Sequence, residues 1–243
     1  MRLDKYLCES TELTRSLARS VLRQDRVTVN GQVCRNGALS VQEGDTVCLD
    51  GNTMARRGPR YIMLHKPAGF ACSSEEGDHP SALNLLDIDK AEGLHFAGRL
   101  DADTTGLVLL TDDGQWSHRI TSPRRGCEKR YRAELAQAVT TELVARFATG
   151  LLLRGEDSPT LPAQLELISE QSDTVEIPLS STRVYLTLRE GRYHQVKRMF
   201  GAAGNRVVAL HRDRIGKIVL DADLQPGEWR YLTPEEIACF DQD

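Results

Sequence analysis

No apolar run in this chain approaches the roughly 18 residues that a membrane span needs. The opening MRLDKYL has no apolar block of the kind a secretory signal carries. Six cysteines (Cys8, Cys34, Cys48, Cys72, Cys127 and Cys239) form no CxxC pair and no cluster with histidine, which argues against a structural zinc and a disulfide framework. The six histidines (His65, His79, His95, His118, His194 and His211) show no metal-ligand spacing either. Internal repeats and low-complexity tracts are also missing. The expectation is a cytoplasmic protein with reduced thiols, no metal and no membrane contact.

What is present is ordinary in bulk and uneven in distribution. The 243 residues are 40% hydrophobic and 27% charged, as in a globular protein, and their number fits a small domain joined to a larger one. The net charge of −4 hides an asymmetry: residues 1–60 hold 10 Lys+Arg against 7 Asp+Glu, and the remainder 21 against 28. A basic module of net +3 beside a body of net −7 points to a polyanion as the partner of the N-terminus.

Within that module Thr14 is placed to cap a helix from Arg15 to Gln24, with Leu17, Ala18, Val21 and Leu22 as its apolar face. Arg15, Arg19 and Arg23 recur at i, i+4 and i+8 along one edge, a pattern that by itself is most often a solvated face. Arg26–Val33 alternates and passes through Asn30-Gly31, a strong hairpin signal. RLDKYL as a first helix, TRSLARSVLRQDRVTVNG as second helix and hairpin, and VQEGDTVCLDG closing a small sheet together resemble the S4 RNA-binding domain. The resemblance implies that Lys5, Arg15, Arg19 and Arg23 contact RNA phosphates, which positions a protein without reading sequence. Asn52–Pro59 is polar, basic and ends in Gly-Pro, so it reads as a linker. The expected domains are 1–58 and 59–243.

In the body, Arg60–His65, Leu107–Leu110, Glu128–Leu135, Val184–Leu188, Val207–Leu210 and Ile215–Leu220 read as strands. Gln115–Ile120, residues 140–149 and Pro234–Phe240 read as helices, and residues 73–81 as an exposed loop. Strands with interspersed helices and no regular βαβ repeat predict an α+β domain on a mostly antiparallel sheet.

Two segments are chemically dense. Gly98-Arg99-Leu100-Asp101-Ala102-Asp103-Thr104-Thr105-Gly106 places two carboxylates and an arginine before an apolar strand. Glu190-Gly191-Arg192-Tyr193-His194-Gln195-Val196-Lys197-Arg198-Met199-Phe200 leads from a strand into a helix that Gly204-Asn205 can end, with Val196 and Phe200 on its core face and Lys197 and Arg198 near its start, within reach of an anion. An aspartic peptidase is disfavoured, since the extra Thr breaks Asp-Thr-Gly and no second aspartate motif is evident.

Lys66-Pro67-x-Gly69, GRLDADTTGL, Glu128-Lys129-x-Tyr131, EGRYHQVKRMF and Val207-Val208-Ala-Leu210-His-Arg212-x-x-Ile215-Gly216 occur in that order. Taken together they resemble the RsuA family of pseudouridine synthases along essentially the whole chain, most closely the branch that acts on small-subunit ribosomal RNA. The resemblance implies a catalytic domain built on a mostly antiparallel mixed sheet with flanking helices, no cofactor, and a monomer acting on ribosomal RNA or a small-subunit assembly intermediate. It implies isomerisation of uridine 516, in the 530-loop region of 16S rRNA. A relative acting on 23S rRNA and a non-catalytic S4-domain assembly factor are the alternatives.

Residue by residue, Asp101 matches the essential aspartate, a group able to form and release a covalent adduct. Attack on the ribose, attack on the uracil ring and a glycal route all remain open. Tyr131 matches the tyrosine that stacks on the extruded base, and Lys197 the cation that pairs with the aspartate and favours its ionised form. Arg99 matches the arginine that assists base extrusion, and Leu210 an apolar pocket residue. Arg192 and Arg198 are expected RNA contacts. Asp103 is expected to satisfy turn amides, Lys66 and Pro67 to brace the site strand, and His194, within the basic motif, reads as structural more often than as an RNA contact.

Overall fold

The computed structural model describes residues 1–11, 13–55, 58–75, 77–168 and 180–241. The chain divides into two compact units, Met1–Pro59 and Arg60–Asp243, one residue beyond the expected boundary. Among the described residues no helix is long and apolar enough to cross a membrane.

In the N-terminal unit α1 (Leu3–Ser10) and α2 (Arg15–Arg23) share a core with β1 (Val27–Val29), β2 (Gln32–Val33), β3 (Val47–Leu49) and β4 (Asn52–Thr53), in sheet order β2-β1-β3-β4. Thr14 caps α2 as predicted, its hydroxyl accepting from the Leu17 amide at 3.3 Å. Asn30 and Gly31 both take positive φ (51° and 81°), the backbone that a two-residue hairpin needs. Asp50-Gly51 repeats the device between β3 and β4 (φ 52° and 77°). Asn52 and Thr53, expected in the linker, are therefore strand residues, while Arg56 and Arg57 of that linker lie outside the described residues. Leu17, expected on the apolar face, is exposed, because the buried stripe of α2 comprises only Ala18, Val21 and Leu22.

The C-terminal unit comprises β5 (Tyr61–Lys66), β6 (His95–Phe96), β7 (Thr105–Thr111), α3 (Gly114–Thr121), β8 (Lys129–Thr140), α4 (Thr141–Thr149), β9 (Gln164–Leu167), β10 (Ser180–Leu188), α5 (Gln195–Ala202), β11 (Val207–Ile215), β12 (Ile218–Val219), β13 (Trp229–Tyr231) and α6 (Pro234–Ala238). Its strands form one mixed sheet in the order β13-β5-β7-β11-β8-β10-β9, with β12 paired to β11 and β6 to β7. The predicted α+β class with a mostly antiparallel sheet is what forms: among the strand pairings of the described residues only β7 with β11 is parallel. Phe147 of α4 and Phe200 of α5 pack in the core over β8, β10 and β11, and Trp116 of α3 stacks edge-on with Phe240 beside β7.

One strand expectation needs correction. Val207–Leu210 and Ile215–Leu220 are not separate strands; β11 runs unbroken to Ile215, then turns at Gly216 into the short β12. Asp213 and Arg214 break the apolar pattern without breaking the strand, because cross-strand partners on β8 and just before it, Arg130 and Glu128, neutralise them at 2.9 and 3.4 Å. The loop at 73–81 is largely exposed, with Glu76 outside the described residues.

The parallel contact is short, joining Thr105 with His211 and Gly106 with Arg212. It requires a glycine: at Gly106 φ is +107°, and a Cβ there would sit 2.2 Å from the Arg212 carbonyl oxygen. This close crossing brings the turn before β7 over the middle of β11 and sets up the site.

Candidate active site

Residues 98–104 form a turn held by two buried cations, Lys66 and Arg212, with half-buried Lys129 nearby. Lys66, fully buried at the end of β5, donates to the carbonyls of Pro67 (2.9 Å), Phe70 (2.8 Å) and Ala102 (3.3 Å). The Gly69 amide also donates to Ala102 at 2.8 Å, so Lys66-Pro67-x-Gly69 grips the residue after Asp101. Arg212, 1% exposed on β11, donates through Nε to Leu107 O (2.9 Å) and through its Nη atoms to Arg99 O (3.2 Å) and Gly98 O (3.4 Å). It also reaches the Tyr131 hydroxyl at 3.4 Å. Lys129 donates to Cys127 O at 3.0 Å. Burial pushes the Lys66 and Lys129 ammonium groups below the usual lysine range.

The second half of the site comes from the start of α5. Gln195, buried, accepts from the Arg192 amide (2.8 Å) and donates to Glu190 (2.6 Å), which folds the turn into the helix. His194 takes φ +49°, an uncommon backbone for a residue with a side chain. From here two groups reach Asp101: Lys197 Nζ lies 2.9 Å from Oδ2, and His194 Nε2 lies 3.3 Å from Oδ1. Lys197 is shared, donating also to Asp103 Oδ1 at 2.6 Å. Burial alone would lower the Lys197 pKa, but the bonds to Asp103 and Asp101 outweigh it and hold the ammonium above its ordinary value. The same bond from Lys197 holds Asp103 below the usual carboxylate range.

These elements enclose a cavity of about 650 Å³. Asp101, Lys197, Tyr131, Arg99, Leu210 and Arg192 all line it, although their segments are scattered along the chain. Tyr131 enters from β8, half-buried, with its ring 5.9 Å from the Arg212 guanidinium. Leu210 is 8% exposed, and Arg99 is exposed while its own carbonyl is held by Arg212.

Other expected residues are placed differently. Arg192 lines the cavity, but its guanidinium is taken up by Glu190, Glu156 and the carbonyls of Ser158 and Pro159. Arg198 is absent from the lining; it pairs with Glu156 at 2.8 Å and donates to the carbonyls of Tyr193 and Arg154. Asp103, expected to serve turn amides, gives its carboxylate to Lys197. In the other unit Arg15, Arg19 and Arg23 are exposed along α2, and Lys5 forms an i,i+4 pair with Glu9 at 3.5 Å.

His194, Arg212 and Lys129 are the residues that sequence reasoning did not place in the site. All three sit inside its motifs. For Arg212 a signal existed, since it alternates with Leu210 on the inward side of an apolar strand. Among the described residues no group of three or more His, Cys, Asp or Glu is arranged to hold a metal ion.

Residues 60–202 match the family of RNA pseudouridylate synthases, and residues 1–47 match the S4 domain. The chain is 54% identical to the Vibrio parahaemolyticus protein named ribosomal small subunit pseudouridine synthase A, covering 98% of each. It is 53% identical to the Escherichia coli K12 protein of that name, covering 98% of this chain and 99% of the other. A crystal structure of a pseudouridylate synthase, 47% identical, aligns over 99% of both chains with a TM-score of 0.69.

Proposed function

Since the chain belongs to the RNA pseudouridylate synthase family, we propose that it converts one uridine of small-subunit ribosomal RNA to pseudouridine, with Asp101 engaging the nucleotide. The isomerisation breaks the bond between ribose C1′ and uracil N1, turns the ring and joins C1′ to C5. The C5 proton leaves and N1 ends protonated, so no net oxidation or reduction occurs. The observation that carries this reading is the meeting of Asp101 and Lys197, 96 residues apart in sequence, at 2.9 Å in the wall of a cavity that Tyr131 also lines. The cavity's volume falls within the range of small-molecule sites, roughly 300–1,000 Å³, and so suits a single extruded nucleotide.

Roles follow from position. A uridine in folded RNA must leave its stack before its glycosidic bond is reachable. Exposed Arg99 at the cavity is the group to meet the displaced strand, the Tyr131 ring is the surface for the extruded base, and Leu210 is apolar wall. Lys197 and His194 each hold one Asp101 oxygen, fixing the carboxylate for reaction. Arg212 acts through others, holding the Gly98-Arg99 backbone and Tyr131 together. Arg15, Arg19, Arg23 and Lys5 supply sequence-independent phosphate contacts.

The target we assign is uridine 516 in the 530-loop region of 16S rRNA, a reading supported by full-length likeness to proteins named for the small subunit. Asp101→Asn is expected to abolish tritium release from 5-³H-uridine-labelled 16S rRNA while leaving RNA binding largely intact. Normal turnover by that variant would remove Asp101 from the chemistry. Pseudouridine mapping in a strain lacking the protein should find one site missing from 16S rRNA, at position 516. A site missing from 23S rRNA instead would redirect the substrate assignment, and no missing site would favour a non-catalytic factor.

A further inference from the structure

Resting on that reading, we propose that Tyr193 is a stacking platform for the base next to the target uridine on the same RNA strand. Tyr193 is 77% exposed, the most open large hydrophobic side chain among the described residues, yet it is neither loose nor remote. Its ring lies flat on His194, with centroids 3.8 Å apart and planes at 20°. That same His194 reaches Asp101 at 3.3 Å, and both rings line the catalytic cavity. The Tyr193 carbonyl is held by Arg198 at 3.2 Å, and Arg198 is itself anchored to Glu156. Isolated apolar residues on a surface are unremarkable. This one has a fixed backbone and one face covered by an aromatic partner, with the ring open at the edge of the reaction cavity.

The surroundings indicate what covers that ring. The short turn Pro123–Arg125, which contributes Pro123 to the cavity lining, carries exposed Arg124 and Arg125, and Arg99 is exposed on the lining itself. An aromatic ring on a cavity that Arg99 also lines, with Arg124 and Arg125 on the turn next to lining residue Pro123, suits a nucleobase flanked by phosphates, because every base has a π-face and every linkage carries a negative charge. The target uracil has its own ring in Tyr131 and must lie near Asp101. The stack Asp101–His194–Tyr193 therefore leads outward from the reacting nucleotide to its neighbour. Tyr193 serves binding of the strand, not the bond-breaking step.

The test is steady-state tritium release from unmodified, 5-³H-uridine-labelled 16S rRNA by wild type, Tyr193→Ala and Tyr193→Phe, using the full chain. Stacking on an aromatic side chain makes a difference of roughly 5- to 150-fold in affinity. Tyr193→Ala should raise KM by that factor with kcat within about twofold, the signature of binding shared by ground and transition states. Tyr193→Phe should match wild type. Unchanged KM in the alanine variant would overturn the proposal. So would a fall in kcat at constant KM, which would mean that Tyr193 acts through His194 on Asp101, or a phenylalanine variant as weak as alanine. If wild type itself released no tritium, the pseudouridine reading would fall and this one with it; normal wild-type turnover with an unaffected alanine variant would remove the platform alone.

Discussion

Lowering the pH should weaken the C-terminal unit through one histidine. His211 is half-buried at the parallel contact of β7 and β11, where Nδ1 shares a hydrogen bond with the Thr105 hydroxyl at 2.9 Å. Burial, reinforced by nearby Arg132 and His65 and only partly opposed by Asp213, lowers its pKa from 6.5 to about 4. Between those values an unfolded chain takes up a proton that the folded chain refuses, so stability is lost as pH falls from about 6.5 towards 4. At 1.36 kcal/mol per pH unit that gap amounts to roughly 3 kcal/mol. Urea unfolding followed by tryptophan fluorescence isolates the effect, because both tryptophans, Trp116 and Trp229, lie in the C-terminal unit. His211→Gln keeps a group able to bond Thr105 but removes the titration. Wild type should lose most of that free energy between about pH 6.5 and 4.5, and the variant should show a distinctly flatter curve. Parallel curves for the two proteins would refute the reasoning.

Three further outcomes follow from the same geometry. Gly106→Ala would press a methyl group against the Arg212 carbonyl at a backbone angle that L residues rarely adopt; overpacking and strain together predict a loss of about 2–5 kcal/mol, measurable in the same urea titration, and near-wild-type stability would contradict the close approach. Arg212→Met should cut kcat by roughly 100-fold, since it releases the 98–99 backbone and Tyr131 from their shared anchor; turnover within threefold or so of wild type would show that the anchor is dispensable. Removing Arg15 and Arg19 together should lower the slope of log affinity against log salt by about 1.5, at 0.7–0.9 per phosphate contact, and an unchanged slope in filter-binding titrations would move the RNA footprint away from α2.

The legible parts of this fold are those governed by local rules. Thr14 before an amphipathic run and Asn30-Gly31 between alternating segments each carry their own physical cause, and each forms as expected. The length of β11 was hidden because Asp213 and Arg214 look like a strand end until their partners near the start of β8 are known. Leu17 misled in the opposite sense, since its spacing fits a core face and only the packing shows how narrow that face is. At the site, sequence motifs supplied the dense segments but not the use each cation is put to. Arg192 and Arg198 look as available as Lys197 in the linear pattern. Glu156, about 40 residues earlier and in no motif, engages both and leaves Lys197 to face Asp101.

That division of labour resolves the charge balance with which the sequence began. A body of net −7 should repel RNA, yet the cations under and beside the Asp101 turn have carbonyl oxygens and not carboxylates as partners. Lys66, Lys129 and Arg212 make no ion pair among the described residues. A carbonyl satisfies a cation's hydrogen bonds without cancelling its charge, so their summed field persists into the cavity, where low dielectric walls strengthen it. Carboxylates elsewhere in the domain take other cations as partners, as in Arg130–Asp213, Arg189–Glu128 and Arg230–Glu236. Average charge is therefore the wrong quantity for judging whether this unit can take a polyanion; the relevant one is which cations are left uncancelled. By that measure the surroundings of Asp101 keep more uncancelled positive charge than the domain's average suggests. Replacing a buried cation there with an apolar residue should weaken RNA capture even where the fold survives.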